Sequence, residues 1–378
     1  VTDPGPVRRD VVVVGAGQAG LALGYYLTRA GVDVLLLERA ERVGASWARR
    51  WDSLRLFTPA RYDALPGAAF PADPWSYPSK DQVAAYLADY ATRFDLPFRA
   101  GADVTRLEDS TGDFRVHLAT GERIAAARVV VATGAFGRPW TPAFAAELDP
   151  AVVQAHADDY QRPDQLPPGP VLVVGGANSG RQIALELARA GRVVHLSGGA
   201  RLRELPQRPL GRDLFWWLTT TRAIHAPATS FVGRRLRANE PVIGTPRRAL
   251  RAAGVTLHPR ASSVDGGTVR FADGEAVQPA SVVWATGYRH DDSWITTPSA
   301  LDTRGALVVD DGTTPVPGLY ALGRPWQHDR GSALLGYVRR DAERLARRLV
   351  NDARAGRSTV PARAGARASG GAGGSPRP

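Results

Sequence analysis

Cysteine is absent from all 378 residues, and whole classes of chemistry go with it. No disulfide, thiolate nucleophile, CxxC redox pair, Cys-ligated zinc or iron–sulfur cluster can form. Methionine is absent too, even at position 1; Val1 is what a GTG start codon read literally would give. Lysine occurs once, at Lys80, among 48 basic residues. The arginine abundance therefore reads as genome composition, and a raw arginine count says little about function. No apolar run approaches the roughly 18 residues of a membrane span, and no charged-then-apolar leader opens the chain. A soluble, cytoplasmic protein with no membrane partner is expected.

What is present is ordinary for a globular protein: 44% hydrophobic and 22% charged residues, enough for a large core in about two or three domains. The formal charge of +11 is unevenly spread. Val338 to Pro378 holds ten Arg against Asp341, Glu343 and Asp352, a net +7 that leaves +4 for the first 337 residues. From about Ala355 the chain is rich in Ala, Gly, Ser, Pro and Arg and is expected to be a disordered, solvated tail. No nucleic-acid recognition motif accompanies the charge, so no nucleic-acid partner is expected. Nor is a metal site.

The chain contains an internal repeat. Val11–Val14 runs into GAGQAG (Gly15 to Gly20), then a helical pattern to Ala30, Gly31, and a second apolar run, Val34–Leu37, ending in Glu38. Val171–Val174 runs into GGANSG (Gly175 to Gly180), a helical pattern to Ala190, Gly191, and Val193–Leu196. In both copies the closing glycine lies 16 residues after the first turn glycine, and the copies are 160 residues apart. One GxGxxG is weak evidence; two in matching strand–turn–helix–strand frames predict two dinucleotide-binding folds.

Each residue type has a physical reason. Gly15 permits the turn, Gly17 lets backbone approach a pyrophosphate, and Gly20 lets helix pack on strand. The phosphates then face the free N–H groups of a helix start. Glu38, 18 residues after Gly20, can accept hydrogen bonds from a ribose diol. A structural glycine turn with no ligand is the plainer alternative. In the second copy, Ala177 stands where the middle glycine is expected, and its methyl should loosen pyrophosphate binding. Gly198 takes the place of Glu38, with Ser197, Arg201 and Arg203 as hydroxyl and guanidinium partners for a 2′-phosphate. NADP is expected there over NAD.

VVVATGAFGRP (Val129 to Pro139) and VVWATGYRH (Val282 to His290) each end an apolar strand in Ala-Thr-Gly. Both turns, Thr133–Gly134 and Thr286–Gly287, are expected beside a cofactor, where the chain crosses between nucleotide domains. Leu205 to Ile243, with Phe215, Trp216, Trp217, Ile224 and Phe231, reads either as an amphipathic cover over a substrate pocket or as core.

The order GxGxxG, ATG, second glycine turn, ATG, then PGLYALG resembles the two-dinucleotide-domain flavoproteins. Within them it resembles the class B flavin-dependent monooxygenases, especially their compact bacterial branch, over about Arg9 to Val350. The segments that carry this are GAGQAG, Val43–Trp47, Trp51–Gly67, the pair His156 and Tyr160, GGANSG, and Leu322–Val338. The resemblance implies an α/β fold of two Rossmann-like domains, the second inserted in the first. Residues 1–165 and 286–354 would form the FAD domain, 166–285 the NADPH domain, and 355–378 the tail. It implies FAD at the first turn, with Gln18, Arg39, Ser46, Trp47 and Gly323 joining the residues above, and NADPH at the second, with Gly175, Asn178, Ser179 and Gly180.

The family fingerprint between the two sites is FxGxxxHxxx followed by Tyr, Phe or Trp. His156 and Tyr160 fit it, while Pro150 and Val152 stand at the Phe and Gly positions. Tyr at the last position resembles the heteroatom-oxygenating branch. On this resemblance His156, Tyr160 and Asn178 are the candidate catalytic residues. The implied enzyme passes a hydride from NADPH to FAD and then forms a flavin C4a-hydroperoxide, shielded by retained NADP⁺. That intermediate oxygenates a small molecule at nitrogen, sulfur or activated carbon. Its partners would be that substrate and dioxygen, with a homodimer left open. The rivals are an NAD(P)H-dependent oxidase or electron-transfer flavoprotein, and a non-enzymatic NADPH sensor; a disulfide reductase is excluded by the missing cysteines.

Overall fold

The computed structural model describes residues 8–110, 112–198, 203–238 and 240–358. The chain opens with β1 (Arg8–Val14), whose Val11–Val14 stretch is buried on both faces, as a central parallel strand requires. A tight turn leads into α1 (Gln18–Arg29) and back to β2 (Val34–Leu37), parallel to β1 with Val11 opposite Val34. The single turn α2 (Ala45–Ala48) precedes α3 (Lys80–Arg93), which Ser79 starts with a capping box closed by Gln82. β3 (Phe98–Arg99) extends the edge beside β2. β4 (Val104–Ser110) and β5 (Asp113–Leu118) form an antiparallel ribbon on β6 (Arg123–Val131), which runs parallel to β1.

The chain then crosses over through β7 (Arg138–Pro139) to β8 (Val153–His156). β9 (Val171–Val174), α4 (Asn178–Arg189) and β10 (Val194–Ser197) repeat the opening strand–helix–strand unit. Between β10 and β13 (Thr256–His258) lie β11 (Glu204–Leu205), α5 (Leu214–Thr220), α6 (Phe231–Ala238), β12 (Val242–Ile243) and α7 (Arg247–Ala252). The antiparallel trio β14 (Ala261–Asp265), β15 (Thr268–Phe271) and β16 (Ala276–Val277) follows. β17 (Ser281–Trp284) completes a parallel sheet ordered β13-β10-β9-β17-β8. β18 (Tyr288–Arg289) pairs with β7, so the two crossover segments are stitched together. β19 (Leu319–Ala321) returns to the first sheet beside β6, and α8 (Arg339–Ser358) packs against α1.

Each sheet is therefore covered on both faces. The first has α1, α3 and α8 on one side, where Leu23, Leu87 and Leu349 meet. Its other side packs against the β4–β5 ribbon and the return segment. The second has α4 and α7 on one face and the β14–β16 trio on the other, with Trp284 buried beneath it. This is the doubly covered α/β architecture with one unit inserted in the other.

Two details depart from expectation. β8 belongs to the second sheet, so that unit begins before residue 165; VQAH has no apolar run to mark it as a strand. α8 continues through Ser358, past the expected tail start at Ala355, and residues 359–378 lie outside the described residues. The aromatic segment divides. Phe215 and Ile224 are core with Tyr337, and Phe215 stacks on Phe57 at 5.8 Å, whereas Phe231 is 73% exposed.

Candidate active site

The first glycine turn is laid directly on the end of β6. Gly15 has φ +109°, and a Cβ there would lie 2.5 Å from the Ala132 carbonyl oxygen. Only glycine satisfies both conditions. Gly20 packs on the turn itself, where a Cβ would overlap the Gly15 oxygen. Gly17, in contrast, faces open space: nothing lies within 4 Å of where its Cβ would be. It is the N-cap of α1, with no side-chain cap and no acidic residue in the first turn, so the helix start offers uncompensated N–H groups.

Behind this opening sits Glu38, half-buried, with Oε2 accepting from Ala16 N and Oε1 from Ala40 N, both at 3.0 Å. A carboxylate oxygen can accept more than one hydrogen bond, so Glu38 braces the turn and can still take a diol. Trp47 Nε1 lies 3.4 Å from Gln18 Oε1, which brings the Val43–Trp47 stretch to the start of α1. Gly323 lands on Ala19 of the same helix start, and Gly134 follows β6 with its own open face. Ser46, Thr133 and Arg39 are exposed. An open glycine face, an uncapped helix start and a carboxylate behind them fit the pyrophosphate and ribose of a dinucleotide.

The second turn reproduces this geometry. Gly175 has φ +127° and sits on the Ala285 carbonyl as Gly15 sits on Ala132; Gly180 packs on Gly175. Ala177 caps α4 at φ −78°, ψ −174°, against −77°, −171° for Gly17. The backbones match, so the Ala177 methyl projects where Gly17 leaves space. Beyond the turn, Gly176 and Gly198 pack backbone to backbone: a Cβ on Gly198 would lie 2.5 Å from Gly176 Cα. No side chain fits at the position that corresponds to Glu38.

Several expected ligands have other duties. Ser197 is 2% exposed, and its Oγ donates to Pro259 O and accepts from Ala261 N, each at 2.8 Å. That hydroxyl ties β10 to the start of β14 and is not directed at a phosphate. Asn178 Oδ1 accepts from Ile243 N at 2.9 Å, anchoring β12 to the helix start. Ser179 is half-buried, Arg203 is exposed, and Arg201 lies outside the described residues.

Sequence reasoning missed Arg181, which is 2% exposed. Its Nε donates to Gly176 O at 2.8 Å, and a second nitrogen reaches Thr245 O at 3.0 Å and Glu204 Oε1 at 2.6 Å. Burial opposes ionisation of Glu204, yet the Arg181 hydrogen bond and charge, with Arg247, hold it below the usual carboxylate range. Among so many arginines, nothing in the sequence distinguishes this one.

The linker residues are also placed as supports. His156 Nδ1 accepts from Asp158 N–H and Nε2 donates to Gly287 O, both at 3.1 Å. Those partners select one neutral tautomer, and burial lowers the ring pKa further. Tyr160 is fully buried and donates to Glu186 Oε2 at 2.8 Å; burial, then Glu186, pushes its phenol well up. In this ligand-free arrangement the His156 Nε2, the Tyr160 hydroxyl and the Asn178 Oδ1 each have a protein partner distant in sequence, at Gly287, Glu186 and Ile243. Beside them, buried Arg50 bonds Asp158 and donates to the Tyr288 hydroxyl at 2.6 Å, with its guanidinium over the Phe136 ring at 4.7 Å. This knot joins the Trp51 segment, the linker and both crossovers.

Among the described residues no group of acidic, His or Cys side chains could hold a metal ion, and no helix is long and apolar enough to cross a membrane. Residues 12–209 match the family described as pyridine nucleotide-disulphide oxidoreductase. An uncharacterized CzcO-like oxidoreductase of Geobacillus kaustophilus is 42% identical over 344 residues, 90% of this chain and 98% of that protein. Indole-3-pyruvate monooxygenase YUCCA1 of Oryza sativa subsp. japonica is 30% identical, covering 89% of this chain and 90% of its own. The structure of the flavin-containing monooxygenase from Stenotrophomonas maltophilia superposes with a TM-score of 0.77 at 28% identity, over 92% of this chain and 99% of that one. With no cysteine, the dithiol half of the family's description has no counterpart here. The chain belongs to the pyridine nucleotide-disulphide oxidoreductase family, as an oxidoreductase of the flavin-monooxygenase type.

Proposed function

We propose that this protein is an FAD- and NADPH-dependent monooxygenase that places one oxygen atom on nitrogen, sulfur or activated carbon of a small organic molecule. The observation that carries this is the pair of glycine turns with matching backbone geometry, one open at Gly17 with Glu38 behind it, the other without an acid. When bound, the nicotinamide supplies a hydride and the flavin carries the electrons to dioxygen, one atom going to substrate and the other to water.

The chain's own residues bind and orient. The α1 start and Gly17 hold the FAD pyrophosphate, Glu38 accepts from its ribose, and Gly175 to Gly180 seat the coenzyme pyrophosphate. The Arg50–Asp158–Tyr288 knot and His156 fix the spacing of the two crossovers and with it the distance between the sites. Closing that gap keeps water from the reaction. The FAD unit comprises the first sheet with its return segment, and the NADPH unit the inserted sheet.

The test is the ratio of peroxide formed to NADPH consumed by the yellow, FAD-containing protein. It should fall when an accepted amine, sulfide or indole is added, with oxygenated product appearing in its place. Peroxide that stays stoichiometric with NADPH across that panel would favour the oxidase or electron-transfer reading.

A further inference from the structure

A cleft of about 310 Å³ opens beside the second glycine turn. Its floor is the Gly176–Gly198 contact, and Arg247 and Arg251 line one side of it. Leu196 and Pro259 supply apolar wall, and Asp273 stands at the edge. The two arginines are four residues apart on α7 and therefore share one helix face.

Selection between the two pyridine nucleotides needs a group that senses the 2′-phosphate; of the positions named by sequence, Arg201 lies outside the described residues, and the others are placed for different work. The Ser197 hydroxyl is engaged by Pro259 and Ala261. Gly198 is glycine because Gly176 lies against it, whatever the coenzyme. Arg203 is exposed and does not line the cleft.

The cleft's own charges favour a dianion. Arg181, Arg247 and Arg251 line it; Glu204 balances Arg181 and also meets Arg247 Nε at 3.4 Å, Asp273 is the carboxylate in its lining, and Glu275 meets the lining His258 at 3.1 Å. Among the described residues no carboxylate lies within ion-pair distance of Arg251. A guanidinium can bind a phosphate through two parallel hydrogen bonds, which a hydroxyl at the same place cannot match.

We infer that this cleft takes an adenosine carrying a phosphate on its ribose 2′ oxygen, and that Arg251 and Arg247 on α7 set the preference for NADPH. The inference rests on the coenzyme reading above and moves its specificity from the loop after β10 to a helix that the sequence did not single out. The adenine would lie against Leu196 and Pro259, and the phosphate between the two guanidiniums.

Calorimetric titration of the flavin-loaded protein with NADP⁺, NAD⁺, adenosine 2′,5′-bisphosphate and 5′-AMP tests it without turnover. Arg251→Ala should weaken NADP⁺ and the bisphosphate about 10-fold or more, and leave NAD⁺ and AMP within about 3-fold, the wider margin for a surface change. Arg247→Ala should act in the same direction, and Arg248→Ala, exposed on the same helix but outside the cleft, should not act at all. Discrimination that survives in Arg251→Ala and Arg247→Ala but disappears in Arg201→Ala or Arg203→Ala overturns the inference and returns selection to the loop. Equal losses for phosphorylated and unphosphorylated ligands also overturn it, showing that the arginines hold the fold. A wild-type protein that binds the bisphosphate no tighter than AMP instead sinks the NADPH reading itself, so the two failures are separable.

Discussion

Asp63 is fully buried, yet among the described residues one of its carboxyl oxygens has no hydrogen-bond partner; the other accepts from Thr58 Oγ1 at 2.6 Å. No part of it reaches open space, so this carboxyl acts on the fold and not on a bound ligand. Burial pushes its pKa up to about 8, against the opposing hydrogen bond from Thr58. The native state therefore keeps a proton that the unfolded chain releases near its ordinary value of 3.8. Stability from this group is full below about pH 4 and is lost as pH rises toward 8, by roughly 1.4 kcal/mol per pH unit at most. Asp63→Asn keeps the acceptor for Thr58 and removes the titration. The melting temperature of the variant minus that of wild type should grow from pH 5 to pH 8; a difference that stays flat across that range refutes the assignment. Gly17 is the counterpart at the cofactor turn. The Cβ of Gly17→Leu would meet nothing within 4 Å, so the variant should fold normally and purify colourless, the side chain occupying the pyrophosphate's place. A variant that stays yellow with full FAD content would count against that placement.

At the scale of elements, legibility followed locality. The two β–turn–α–β frames could be read because their requirements are met within about 30 residues: a positive φ at Gly15 and Gly175, a close approach at Gly20 and Gly180, a buried valine run. The roles of polar residues could not. The partners of the Ser197 hydroxyl are 62 and 64 residues away, and the His156 Nε2 meets a carbonyl 131 residues on, contacts that no local pattern announces. β8 was missed because a four-residue strand with two exposed positions has no apolar signature. Gly198 was noticed for the acid it lacks, while its cause, the backbone of Gly176, is a contact across elements. This has a consequence for engineering. Gly198→Glu, the obvious change to favour NADH by analogy with Glu38, should instead separate β10 from the turn and weaken NAD⁺ and NADP⁺ alike. Titration of both nucleotides checks it, and a clean switch to NADH would show that the two glycines can part without loss.

At the scale of the whole molecule, two similar units face each other across stitched crossovers but are not equal binders. At the helix-cap position their turns differ by one methyl group, open space at Gly17 against Ala177 at the same backbone angles. A pyrophosphate approaching the second turn meets that methyl, so oxidised coenzyme should leave the second site more readily than FAD leaves the first. On the function proposed above, retained NADP⁺ would shield the reaction, and looser retention would expose it to water. The protein should therefore consume NADPH without substrate and release hydrogen peroxide. Ala177→Gly should lower that basal peroxide rate and tighten NADP⁺, because it restores the opening found at Gly17. His156→Ala should raise it, because the ring is the clasp between the linker and the Gly287 turn. Both effects are read as peroxide per NADPH under air, beside the NADP⁺ affinity of each variant. If Ala177→Gly tightens NADP⁺ while the peroxide yield stays put, coenzyme retention does not govern leakage, and the gap between the two units must be closed by something other than the nucleotide.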